Sequence, residues 1–279
     1  MMHCSVLFCG TGPIRRRTRR ERPIHYFDRL SDSAFRATSH TGGAWNTAEQ
    51  HIAPSLGLLA HVVDLDREQR GQGSLRIGRL SYDILGTLPI GEVTTSVRVL
   101  RAGRTIELVE ATLSHDDRVA VVARAWLMGA YDTEGLAGTS FPTIPGPEGM
   151  SAWDPTTVWP GGFIAGVEVR RAQTEPGRAA FWVRTPIALV GGEKVGAVAR
   201  TAGLLDIANG MTTRADPRDV AFPNLDLTMH LFGEPRGDWV GFDTAVSFGS
   251  DGLGLTHSVV SDAFGPIGTS SQILTVRPS

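Results

Sequence analysis

Between residues 193 and 209 the apolar side chains recur at helical spacing, and an aspartate falls among them. Val195, Val198, Ala199, Ala202, Leu205, Asp206 and Asn209 share one face of a helix beginning near Glu193. The acid also sits in the last turns, where the helix dipole disfavours negative charge. Upstream, "APSLGLLAHVVD" (53–64) predicts a second helix, with Pro54 suited to an opening turn and Leu58, Leu59, Val62 and Val63 as its apolar positions. Most of the remaining chain alternates as strands do. One set covers 75–85, 92–102, 104–114 and 118–128; another covers 163–173, 179–189, 223–232, 238–248, 253–261 and 267–276. Short links such as "AGR" and "HDD" predict hairpins.

The two sets repeat one another. "LSYDILGTLPIGEVTTSVRVL" lines up with "LDLTMHLFGEPRGDWVGFDTAVSF", placing Pro89 against Pro235 and Gly91 against Gly237. That spacing is far too long for a solenoid and predicts two equivalent halves. Between them, 129–160 is rich in Gly, Pro, Thr and Ser and reads as a linker. The expected organisation is an N-terminal extension (1–22), a first unit (23–128), the linker, and a second unit (161–279). One long helix beside antiparallel strands gives each half an α+β character, the helix covering the concave face of a twisted sheet.

Composition narrows the function classes. The 279-residue chain is 41% hydrophobic and 20% charged, the balance of a globular protein able to bury a core. A formal net charge of −2 argues against nucleic acid as a partner. No apolar run reaches the roughly 18 residues that membrane insertion requires. The extension carries the basic run "RRRTRRER" (15–22) after the apolar "SVLFCG", the reverse of the order in a secretory signal, and reads as disordered. Cys4 and Cys9 are the only cysteines and read as free thiols, in keeping with a cytoplasmic setting. There is no G-x-S-x-G, no H-E-x-x-H and no phosphate loop, so neither a serine nucleophile nor a metal or other cofactor is expected.

Five segments carry a family resemblance: "LLDIANG" (204–210), "FPNLDLTMHLF" (222–232), "GTSSQILTVRP" (268–278), "QHIAPSLGLLAHVV" (50–63) and "RLSYDILGTLPIGEV" (79–93). Together they resemble the acyl-CoA thioesterases of the double-hotdog type, the thioesterase II class. The resemblance implies two tandem hotdog units, each a long helix wrapped by an antiparallel sheet. It also implies hydrolysis of acyl-CoA to fatty acid and CoA without a cofactor, and assembly into a homo-oligomer. The family's water-activating aspartate falls on Asp206 and its last-strand glutamine on Gln272. Its Ser or Thr falls on Asn224, a departure: an amide offers an NH₂ and a carbonyl where a hydroxyl offers a single rotatable donor. That departure keeps open an alternative, an inactive hotdog protein that binds acyl-CoA or lipid.

Thioester hydrolysis needs a water, a base for its proton, and donors for the developing oxyanion. Asp206 among apolar neighbours is suited to accept a proton, with Gln272 and Asn224 orienting the water. An acid in this place could equally bond only to Arg200, Asn209 or a loop amide. The oxyanion donors are expected among backbone N–H groups of the first helix's start, near Ala53 to Leu56. Asp226, on the same strand face as Asn224, is a second carboxylate suited to a local cap; His51 and His230 are alternative bases. Trp45, Trp153 and Trp159 are candidates to line an acyl channel, and Ser81 and Ala125 mark the first half as structural.

Overall fold

The structure, a computed structural model, describes Met1 and residues 24–278. The expected N-terminal extension, with Cys4, Cys9 and the basic run, lies outside the described residues. The N-terminal half comprises β1 (His25–Arg29), β2 (Ala34–Ala37), α1 (Ile52–Gln69), β3 (Leu75–Ile84), β4 (Glu92–Arg101), β5 (Ile106–His115) and β6 (Arg118–Gly129). The C-terminal half opens with β7 (Ala152–Trp153), α2 (Gly162–Ala165), β8 (Glu168–Glu175), β9 (Arg178–Arg184), β10 (Ala188–Val190), α3 (Ala197–Leu205) and α4 (Ala208–Met211). It closes with β11 (Val220–Ala221), β12 (Asp226–Leu231), β13 (Val240–Phe248), β14 (Leu253–Asp262), β15 (Gly265–Thr275) and β16 (Arg277–Pro278).

Fourteen of these strands form one sheet in the order β10-β1-β2-β4-β5-β6-β3-β12-β15-β14-β13-β9-β8-β7. The halves join where β3 meets β12 antiparallel, with Ser81 opposite Thr228. On either side the order repeats: β3-β6-β5-β4 mirrors β12-β15-β14-β13. These are tandem hotdog units, their helices lying against the inner face of the continuous sheet. The tie is reinforced at the edge, where β10 of the second half pairs parallel with β1 of the first.

Several boundaries differ from those the pattern predicts, each for a local reason. Helix α1 runs five residues past Asp64, held by an Asp66–Arg70 ion pair at 2.7 Å, and stops before Gly71 at φ +72°. The second helix starts at Ala197 rather than near Glu193. Gly196 takes the N-cap, and Glu193 turns aside to meet Arg29 (2.5 and 2.9 Å) and the buried His61 (2.9 Å). It also ends early: Asp206 is its C-cap, and Ala208–Met211 forms a separate turn. The strand expected at 163–173 begins as α2. Gly161 at φ +119° abuts the carbonyls of Gly42 and Gly43, so the chain turns there before β8. β1 and β2 are too short to show as alternation.

The residues read as a linker run along the second half. Trp182 Nε1 donates to Pro145 O at 2.8 Å, β7 pairs with β8, and Trp159 is buried. Helices α1 and α3 pack antiparallel, backbone against backbone. A Cβ on Gly57 would stand 2.9 Å from both Ala199 O and Gly203 Cα, so only glycine admits this approach. The crossing sets the start of α1 against the end of α3.

Candidate active site

Asp206 ends α3 opposite His51, the N-cap of α1, and both line a cleft of about 320 Å³ between the halves. Because α3 stops at Leu205, Asp206 is carried on a cap backbone (φ −70°, ψ 0°) rather than mid-helix. Its side chain is buried, and both expected partners reach it. Asn224 Nδ2 donates to Asp206 Oδ1 at 2.6 Å, and Gln272 Nε2 donates to the same oxygen at 2.9 Å. Gln272 comes from β15; Asn224 comes from the segment before β12, held by a bridge to Leu274 and by its own bond to Asp226 O (3.1 Å). Three groups spread over 66 residues of sequence thus meet at one carboxylate.

Burial pushes the Asp206 carboxyl up to about 7, against the opposing pull of the hydrogen bonds from Asn224 and Gln272. Loss of hydration outweighs the two donors because the charged form loses more solvation than two neutral amides restore. With Oδ1 held by both amides, Oδ2 is the oxygen left to take a proton. Its neighbour is His51 Nδ1 at 3.6 Å. Burial pushes that imidazole down to about 3, and Nδ1 already accepts the Ala53 N–H at 3.2 Å. The ring is therefore neutral, with its proton on Nε2, and the contact with Asp206 is not an ion pair.

The start of α1 supplies the positive end of a helix dipole beside this carboxylate. The candidate donor falls one residue before the expected range of Ala53 to Leu56: Ala53 gives its N–H to His51, and Pro54 has none. Ile52, the first helical residue, has no intrahelical acceptor for its N–H and lines the cleft. One wall is aromatic: Trp45 and Trp159 stand edge to face at 4.8 Å, and Phe222 packs on both. Trp159 Nε1 donates to Gly210 O at 2.8 Å, fixing its plane beside α4. Trp153 is elsewhere, under the guanidinium of Arg171.

Asp226 spends Oδ1 on the Ile273 N–H at 2.6 Å, and His230 is exposed on β12. Ser81 pairs with Arg124 just as Thr228 pairs with Ser271, so Ala125 holds the place in β6 that Gln272 holds in β15. The first half has no amide there.

Within the tandem hotdog fold, Asp206, Asn224 and Gln272 thus meet at the end of α3 and face the start of α1. Family models identify the class of the chain. The acyl-CoA thioesterase N-terminal domain matches residues 41–128 and the acyl-CoA thioesterase C-terminal domain matches 136–276. The chain belongs to the acyl-CoA thioesterase family and is a thioester hydrolase.

Solved structures share the fold at low identity. A hotdog-fold protein of unknown function from Alicyclobacillus acidocaldarius superposes with TM-score 0.69 at 13% identity, covering 89% of this chain and 95% of its own. Acyl-CoA thioesterase II TesB2 from Mycobacterium marinum gives 0.61 at 14%, over 91% and 95%. The tesB protein of Mycobacterium avium subs paratuberculosis gives 0.60 at 18%, over 90% and 96%. No curated protein matches the chain.

Proposed function

We propose that the protein hydrolyses acyl-CoA thioesters with Asp206 as the base that activates water. The observation that carries this reading is the convergence of Asn224, Gln272 and the cleft on a buried carboxylate whose pKa lies near neutrality. A base of this kind is half ionised where it works and can both take and return a proton. Water bound at Oδ2 adds to the thioester carbonyl as its proton passes to Asp206. The carbonyl electrons move to oxygen, stabilised by the Ile52 N–H at the start of α1. Collapse of that adduct breaks the C–S bond, and the departing thiolate takes the proton from Asp206. The acyl chain lies along the Trp45–Trp159 wall.

The test is CoA release from acyl-CoAs of several chain lengths by wild type and Asp206→Asn. A fall of at least about 100-fold in kcat is expected. Equal rates would remove Asp206 from the chemistry. A second reading, a binder without turnover, draws on Asn224, which commits its amide to Asp206 and Asp226 where the family has a hydroxyl. Tight binding of an acyl-CoA with no CoA release by wild type would establish it.

Pairing of copies belongs to the same reading. Leu255 and Ile273, register partners on β14 and β15, are exposed together on the outer face of the sheet. An apolar strip on an open sheet face marks a contact surface.

A further inference from the structure

Gln272 serves Asp206 in only one of its two amide orientations. With Nε2 toward the carboxylate it donates; turned over, its carbonyl would face a carboxylate oxygen. The hydrogen bond to Asp206 is one restraint on the amide, and it weakens when Asp206 is protonated during turnover. A second restraint must act on Oε1, yet Gln272 is 1% exposed and Oε1 has no hydrogen-bond partner among the described residues. An unsatisfied buried carbonyl is costly, so its surroundings must supply a donor.

One stands directly across the ladder. Thr256 on β14 is the register partner of Gln272 on β15, is likewise 1% exposed, and its Oγ1 also has no partner among the described residues. Opposed residues of an antiparallel pair share a face with Cβ atoms roughly 5 Å apart. One residue has an idle acceptor and its neighbour an idle donor, both sealed from solvent. The hydroxyls continue along the same face: Thr244 Oγ1 and Ser258 Oγ are 2.8 Å apart, and Ser258 pairs in register with Ser270. None of these hydroxyl residues lines the cleft.

We propose that Thr256 is a positioning residue: its hydroxyl donates to Gln272 Oε1 through one bridging water and so keeps the amide NH₂ on Asp206. The proposal rests on the reading of Asp206 as base. It assigns no contact with substrate to Thr256, which acts through Gln272.

The test compares Thr256→Val, which keeps the shape and removes the hydroxyl, with Thr256→Ser, which keeps the hydroxyl. Thr256→Val should lower kcat about tenfold, the size of one net hydrogen bond, with little change in KM. It should also move the acid limb of kcat/KM to higher pH, because a loosened Gln272 no longer pulls the Asp206 carboxyl down. Thr256→Ser should restore both. Wild-type kinetics in Thr256→Val, or a serine variant no better than the valine one, would overturn the link.

A readout apart from turnover separates this from the fate of the base. The side-chain amide NMR signals of Gln272, identified by their loss in Gln272→Leu, should move in Thr256→Val and hold in Thr256→Ser. Unmoved signals refute the Thr256 link whatever Asp206→Asn does. Moved signals together with an active Asp206→Asn would uphold the link and refute the base.

Discussion

A carboxylate whose pKa is raised from 3.8 to about 7 leaves two signatures in pH. The first is kinetic. As the proposed base, Asp206 must be ionised to accept a proton, so kcat/KM should rise with pH through an apparent pKa near 7 and flatten above it. The alkaline plateau follows because Asp206, not its neutral neighbour His51, loses the proton. A profile flat from pH 5 to 8 would contradict it.

The second signature is thermodynamic and has the opposite sense. A folded-state pKa above the unfolded one favours the folded protein below about pH 4, and that advantage is lost as pH rises through about 7. Asp206→Asn removes the titration while its amide oxygen can still accept from Asn224 and Gln272. The variant should therefore melt higher than wild type at pH 8, by up to roughly 4 kcal/mol of stability, and the gain should fade toward pH 4. Melting curves at both pH values check it. One rule that Asp206 breaks in the sequence, an acid on an apolar stripe, is also what raises its pKa, through burial.

Helix α3 owes its shape to glycines and a cap rather than to its apolar stripe. Periodicity from 193 to 209 reads as one helix, but Gly196 sets the start and the turn at Asp206–Ile207 separates α3 from α4. Where α3 packs on α1, Gly57 lets the two backbones touch, since a Cβ there would meet Ala199 O and Gly203 Cα at 2.9 Å. Gly57→Val should destabilise the protein by about 1–3 kcal/mol through overpacking, measurable by denaturant unfolding. It should also lower activity, because α1 carries His51 and Ile52 to Asp206. An unchanged midpoint would show that the crossing yields easily. The role of these glycines was invisible in the sequence, where no periodic signal marks a helix crossing.

Across the whole molecule, the cleft exists only because the two halves share one sheet. α1 of the first half supplies the helix start and His51; the second half supplies Asp206, Asn224 and Gln272. The outer face poses a separate question, that of assembly. Leu255→Glu on the exposed strip should shift the protein to a smaller species in light scattering while leaving CoA release per chain nearly unchanged, since β14 turns that residue away from the cleft. A wild type that is already monomeric would refute pairing through this face.

The chain's own pattern determined the duplication, the α+β class and most strand positions, because alternation and helical spacing are local and written twice. It also marked Asp206, a residue that violates its local surroundings. Family likeness, not spacing, pointed to Asn224 and Gln272, whose types are unremarkable on a strand. Tertiary structure alone decided that these amides share one carboxylate oxygen and that His51 stands neutral beside the other. It also set Thr256 opposite Gln272 in the ladder. Such facts depend on the register of strands and the closeness of two helices, and both are fixed by packing between segments far apart in the chain.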